Sequence, residues 1–533
     1  MSILCVFRKF SLQVTTLLVC TGAPSLHQTQ LYVKRLKVLA GGYPVQNVLE
    51  FKQLCIPLLM PPNASDLVFA ADGGAITTTP SRMFVIPLQA SDFSVSGECF
   101  TGPQQIKWIG QLGKMPFKFV LHIDGKYKLH HGKWILITIG VHVLRWDAHH
   151  CKLVTSFVPL VYLFCKEHES QGAADFIMAS LNKVSMQYYG VKLLPGAMVS
   201  DHCAAFRNAF YKYFPDGVFG QCYPHIKRKY GEGEYTSKKW IHFHEAGEDI
   251  KGIHLAGTPE MKELITDVVG DCWDSWGTQM NVFWDSNCVA PWDCWSICDL
   301  ECMLATPSNQ TPEAWHRDLL RKKIPGMFKA STAFVVNKTL PQLALMDGLA
   351  IPNVLNFEVT MVPTPMMEKA LWYVEHQDTH IKITKDRNGT FIYYILGKNN
   401  PWTFKKIGTI NLLAYMEACN GKQHNSCNTK EKLLKTCQSF HFLFEDKDSK
   451  YGVPFCHYNP ASLTCPSCKG FKHVGICSHV LAINHILEHI DVNYLLGKVQ
   501  KAKKIGGQKR NVRPALQCES DSSDDDAPNL LQT

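Results

Sequence analysis

Four residues near the C-terminal end of the sequence have the types and spacing to hold a metal ion. Cys465 and Cys468 form a Cys-x-x-Cys pair, and Cys477 and His479 follow after eight further residues. Thiolates and an imidazole in two close pairs suit one tetrahedral zinc ion. Bound zinc would supply folding energy that so small a unit lacks. Cys456 and His457 stand near enough in sequence to substitute for one ligand. Three acids upstream point to different chemistry: Asp124, Asp201 and Glu313. Hard oxygen donors of this kind hold magnesium or manganese. Two such cations about 3.5–4 Å apart activate an attacking oxygen and stabilise a leaving one in phosphodiester cleavage. Each acid alone reads at least as well as a turn or helix cap, Asp201 especially, because a helical stretch follows it. Their case rests on their joint order.

The flanking patterns place the first two acids at strand ends. Residues 117–124 are apolar and end on Asp124, and residues 134–141 and 158–164 give two further strands. The connections are short, which predicts an antiparallel meander. Residues 170–189 carry a partial helical stripe at Phe176, Ile177, Leu181, Val184 and Met186. Residues 196–201 read as a short buried strand ending on Asp201. Residues 202–214 read as a helix stopped by Pro215, and residues 217–222 as a fifth strand. Three strands, a helix, a strand, a helix and a strand is the order of a ribonuclease H-like α/β fold, in which Asp124 and Asp201 lie on neighbouring strands. Residues from about 226 to 305 are rich in Trp and Cys, with helical stretches, and read as an insertion.

Several segments resemble Mutator-like element DNA transposases. Leu121-His122-Ile123-Asp124-Gly125-Lys126-Tyr127 is similar to their first catalytic strand, and residues 199–210, with Asp201 before an Ala-rich helix, to their second motif. Phe214-Pro215 and then Cys222-Tyr223-Pro224-His225 match the Phe-Pro and Cys-x-x-His signature, and residues 309–319 resemble the Asn-containing turn, Glu and helix of the third. The resemblance implies a DDE-type core with a helical insertion, in which Asp124, Asp201 and Glu313 hold the catalytic magnesium or manganese. Glu301 and Asp299 are nearby alternatives for the third acid. Cys222 and His225 read as half of a zinc site, completed by Cys203 or a Cys from 288 to 302, as a packed structural pair, or as a DNA contact. Residues 462–482 resemble a SWIM-type zinc finger with Cys465, Cys468, Cys477 and His479 as ligands, although that family usually opens with Cys-x-Cys. Lys469, Lys472 and His473 in its loop, and Lys227, Arg228 and Lys229 after the Cys-x-x-His turn, are candidate phosphate contacts.

These readings divide the chain into an N-terminal region of unclear role (1–110), a transposase domain (115–330), a mixed connector (331–450), a zinc unit (451–488) and a tail (498–533) that turns from basic to acidic. The chain has 533 residues, 46% of them hydrophobic, with a net charge of +9 and 21 Cys. Cysteines so scattered over a long apolar chain do not describe a small disulfide scaffold. Gln13, Thr15 and Thr16 interrupt the apolar run behind Arg8 and Lys9, so a secretory leader is not expected. No apolar run reaches about 18 residues, which argues against a membrane span. The implied partners are double-stranded DNA, as element terminal repeats and target, and further copies of the chain, in the nucleus. The competing expectation is a domesticated transposase descendant that binds DNA and regulates transcription without cutting it.

Overall fold

The computed structural model describes residues 48–60, 83–127, 134–166, 168–230, 240–305, 307–319, 331–349, 355–356, 361–398, 400, 404–445, 453–457 and 463–498. The apolar run at 10–20 and the tail beyond 498 lie outside them. The protein is α/β. Its larger sheet is mixed and contains β1 (Phe84–Val85), β2 (Gly97–Thr101), β3 (Val120–Lys126), β4 (Ile135–Asp147), β5 (Lys152–Cys165), β6 (Ala197–Ser200) and β7 (Val218–Gln221), in the order β1-β2-β5-β4-β3-β6-β7. β3, β4 and β5 form the antiparallel meander, while β6 pairs parallel to β3, and β7 parallel to β6.

The central strands are apolar on both faces because both faces are covered. Alternation along β4 divides its side chains: Ile135, Ile137, Ile139, Val141 and Val143 enter one core, and Trp134 and Leu136 the other. α1 (Val48–Cys55) contributes to the second core. α2 (Pro103–Gly113), α3 (Gln171–Tyr189) and α4 (Ala204–Tyr213) cover the first. α3 starts where Ser170 caps the Ala173 N–H at 3.2 Å and stops at Gly190, whose backbone is left-handed. β1, β2 and α2 extend this body upstream of the boundary read near residue 115. Two- and five-residue strands separated by turns give too little periodicity to be seen in sequence.

Beyond β7 the chain is helical: α5 (Tyr223–Tyr230), α6 (Phe243–His254), α7 (Pro259–Asp274) and α8 (Thr278–Asn287). α9 (Gln310–Asp318) and α10 (Leu340–Gly348) return to the large sheet and cover its second face with Trp315, Leu319, Leu340 and Leu343. Next come β8 (Leu355–Asn356), α11 (Thr364–Glu375), β9 (Ile381–Lys385), β10 (Phe391–Leu396), α12 (Phe404–Ala418), α13 (Lys430–Ser439), β11 (Phe440–Glu445), β12 (Cys456–His457), β13 (Leu463–Thr464), α14 (Lys469–Val474) and α15 (Ser478–Ile486).

The insertion and the connector, distinct in sequence, share one core. Ile253, Ile265 and Trp273 pack with Tyr394, Tyr415, Leu433 and Phe440. Lys430 reaches across to Glu245 and Asp249 at 2.8 and 2.9 Å. The segment that carries Cys465, Cys468, Cys477 and His479 is likewise continuous with its surroundings, since β13 closes the sheet β13-β11-β10-β9. No helix among the described residues is long and apolar enough to cross a membrane.

Candidate functional site

The register of the parallel pair β3–β6 aligns the first two acids. His122 lies opposite Val199, Asp124 is two residues beyond the former, and Asp201 two beyond the latter. Both therefore emerge at the same end of adjacent strands. Asp124 shares a strand face with Val120 and His122 and lies opposite Thr138 of β4. α9 crosses that face, and its first turn carries Glu313. All three acids line one cavity of about 1130 Å³, together with Lys126, Tyr127, Glu169, His225, Arg228, His316 and Arg317.

Asn309 ties these elements together. It is fully buried, its side-chain amide donates to the Ile123 carbonyl at 3.1 Å, and its backbone N–H donates to Cys222 Sγ at 3.1 Å. One residue thus fixes β3, the Cys-x-x-His turn and the start of α9 relative to one another.

Each acid has a nitrogen partner. His316 Nδ1 lies 2.8 Å from Asp124 Oδ2, and its other ring nitrogen is 3.3 Å from Thr138 Oγ1. The Gly125 N–H donates to Asp124 Oδ1 at 2.9 Å. His225 stands between the other two acids, with Nδ1 2.9 Å from Asp201 Oδ1 and Nε2 3.3 Å from Glu313 Oε1. Arg228 approaches Glu313 at 3.8 Å. Burial disfavours the imidazolium of His225, but Asp201 and Cys222 beside it hold its pKa up to about 10. Burial raises the Glu313 pKa, and His225 and Arg228 oppose the rise.

The donor set is built from carboxylates, oxygen donors of the kind hard cations take, and His225 stands against the buried Asp201 Oδ1 and Glu313 Oε1. The three carboxylates do not converge within 4.8 Å of one another. Asp201, Cys222 and His225 do. Cys222 and His225 are therefore joined by Asp201, and neither Cys203 nor a Cys from 288–302 belongs to the group.

The alternatives for the third acid lie elsewhere. Asp299 is committed to Lys262 at 2.8 Å and to the Ser296 N–H at 2.6 Å, and Glu301 is exposed away from the cavity. Of the three basic residues after the Cys-x-x-His turn, Arg228 alone lines the cavity, while Lys229 donates to Asn287 Oδ1 at 3.3 Å. Two cavity residues escaped the sequence reading. His316 follows Glu313 by three residues, a one-turn helical spacing that was available as a signal. Glu169 has no local signal, because it precedes a helix far from either Asp in sequence.

The second site is closed. Cys465, Cys468, Cys477 and His479 are all buried, with ligand atoms within 4.8 Å of one another. β13 delivers Cys465, a turn in which the Cys468 N–H donates to the Cys465 carbonyl at 3.1 Å delivers Cys468, and Cys477 precedes α15. Between the pairs, Gly475 takes φ +79°, a left-handed conformation that ends α14 and turns the chain back. The longer Cys-x-x-Cys spacing therefore closes without Cys456 or His457, which form β12 paired with β8. His479 Nε2 is a buried nitrogen with no hydrogen-bond partner among the described residues. His441 packs on the His479 ring at 4.4 Å while its own Nδ1 lies 3.2 Å from the Ser467 carbonyl oxygen. Burial, then His479, pushes the His441 pKa down to about 4. Three buried thiols and an imidazole could hold a metal ion, and this donor set suits zinc.

The loop of this unit does not offer all of its basic groups to a partner. Lys472 is buried and its Nζ donates to the Leu300 carbonyl at 2.7 Å, while His473 Nε2 meets Thr155 Oγ1 at 3.3 Å. α14 docks on the core through these contacts, and a buried ammonium must find such an acceptor. Lys469 remains exposed. No protein-family model matches the chain, and no curated protein matches it.

Proposed function

We propose that the protein is a DNA transposase of the Mutator-like type. Its large sheet would be a ribonuclease H-like core, and residues 451–488 a zinc-bound SWIM unit. The observation that carries the reading is that Asp124 and Asp201, at the same end of adjacent strands, and Glu313, on the helix that crosses them, line one cavity though distant in sequence. The strand order supports it as well: an antiparallel meander is extended through its first strand by two parallel strands with helical crossovers.

Asp124, Asp201 and Glu313 would hold magnesium or manganese. Bound there, the cations supply activation of the attacking oxygen and neutralise charge on the leaving oxygen. The residues present do the rest. His316 fixes the Asp124 carboxylate, and Asn309 fixes the helix that carries Glu313. Lys126, Arg228 and Arg317 line the same cavity and attract the phosphate backbone. Water attacks the phosphodiester at an element end, and the freed 3′-hydroxyl then attacks target DNA, both by in-line displacement. On this reading the protein works in the nucleus as a homo-oligomer that bridges two element ends.

The second reading, a DNA-binding regulator that does not cut, is favoured by one observation. His225 sits between Asp201 and Glu313, on the oxygens a cation would use. Magnesium-dependent nicking of terminal-repeat DNA separates the two. The transposase reading expects nicking by the wild type and none by Asp124→Asn or Asp201→Asn. Salt-sensitive DNA binding with no nicking by any of the three would leave the regulator.

A further inference from the structure

We propose that Asp201, Cys222 and His225 form a site for a zinc-like divalent ion, held by three side chains and open to the cavity on its fourth side. The inference stands without the cutting reading and gives the Cys-x-x-His turn a metal of its own.

Two strand ends build the group. Asp201 follows β6 and Cys222 follows β7, and the Cys222 N–H donates to the Ser200 carbonyl at 3.0 Å, which holds the two ends side by side. α5 begins at once, so His225 returns over Cys222 within its first turn, its backbone N–H donating to the Cys222 carbonyl at 3.1 Å. The ligand atoms of the three residues lie within 4.8 Å of one another. One carboxylate, one thiolate and a neutral imidazole cancel the charge of a dication, and they are mixed donors of the kind zinc and cobalt accept.

The surroundings are those of metal ligands. His225 turns Nδ1 to Asp201 Oδ1 at 2.9 Å and its other ring nitrogen to the Glu313 carboxylate at 3.3 Å. A ligating histidine almost always gives its distal N–H to a carboxylate, carbonyl or water. Arg228 Nη1, 3.1 Å from the same Nε2, is the partner of the opposite tautomer, and a bound ion selects the first. Cys222 is fully buried, and its Sγ accepts the Asn309 N–H at 3.1 Å, a bond that favours the thiolate. Asp201 and His225 line the cavity, so a fourth ligand can enter from that side. Three ligands and an open side make this the weaker of the two Cys- and His-containing groups, filled when the ion is supplied. Asp201 is also one of the acids proposed above for a hard cation, so one ion excludes the other there.

The test is cobalt titration of the full-length protein, given one equivalent of zinc beforehand, which the four-ligand pocket takes first. Thiolate-to-cobalt absorption is followed in wild type, Cys222→Ser and His225→Gln, and thermal unfolding checks that each is folded. Wild type should gain a band of single-thiolate strength that saturates at one cobalt per chain. Cys222→Ser should lose the band, and His225→Gln should bind cobalt at least about tenfold more weakly. If Cys222→Ser fails to fold, His225→Gln decides, because that side chain is 18% exposed. No band in wild type would overturn the inference. A band unchanged in both variants belongs to the Cys465–His479 pocket and would overturn it as well.

Discussion

The Cys/His pocket takes all four of its candidate ligands from residues 465–479, and none of them is exposed. The carboxylate cleft takes its acids from positions 124, 201 and 313, which stay partly open to solvent around a large cavity. The first is closed, soft and local in sequence, as a site that only stabilises needs to be. The second is open, hard and assembled by the fold. An open site can admit a substrate, but its geometry depends on elements far apart in the chain. Damage to the pocket should therefore unfold its surroundings, and damage to the cleft should remove chemistry and leave the fold intact.

The largest effect is expected at the pocket. Elemental analysis should find zinc in the wild type and none in Cys468→Ser, whose residues 451–488 should open to limited proteolysis, because metal binding and folding are one equilibrium in such units. A strong chelator should do the same to the wild type. Retained zinc and unchanged proteolysis would remove the contrast. Next come Asp124→Asn and Asp201→Asn. Each should lower nicking by at least about a thousandfold, the loss of several kcal/mol of charge stabilisation, with zinc content and unfolding temperature unchanged.

His316→Ala sharpens the comparison further. It leaves Asp124 in place without the imidazole that holds Oδ2, and partners of this kind typically change metal affinity or activity by about 10- to 100-fold. Loss of folding instead would move His316 from the site to the core. The smallest effect concerns His142, which stacks on His122 at 3.4 Å inside the large sheet. Burial pushes its pKa down to about 3. The unfolded chain takes up this proton as pH falls below about 6.5, and the folded chain does not until near pH 3, so stability is lost on acidification through that window. Urea unfolding of His142→Asn at pH 7 and pH 5 should show a smaller drop than wild type, by at most ~1.4 kcal/mol per pH unit. An identical drop would assign the acid sensitivity to other groups.

The same contrast explains what could be read from sequence. The buried Cys/His group was legible because four chemically distinctive residues stand in one short segment. Asp124 and Asp201 were legible because each ends an apolar run, and β3 to β7 follow the order those runs indicate. Glu313 was reached through a motif and not through periodicity. Glu169 was missed because its place beside Gly125 depends on where α3 begins against the sheet. Lys472 read as a candidate phosphate contact, and only docking of α14 on the loop at Leu300 buries it. The common core of insertion and connector joins segments such as Trp273 and Tyr415, whose pairing no local pattern encodes.

The most direct test is anomalous scattering from crystals of the full-length protein soaked in manganese, with data at the zinc and manganese edges. The account expects zinc enclosed by Cys465, Cys468, Cys477 and His479, and manganese among Asp124, Asp201 and Glu313. Zinc bound instead by Asp201, Cys222 and His225, with no manganese in the cleft, would contradict it.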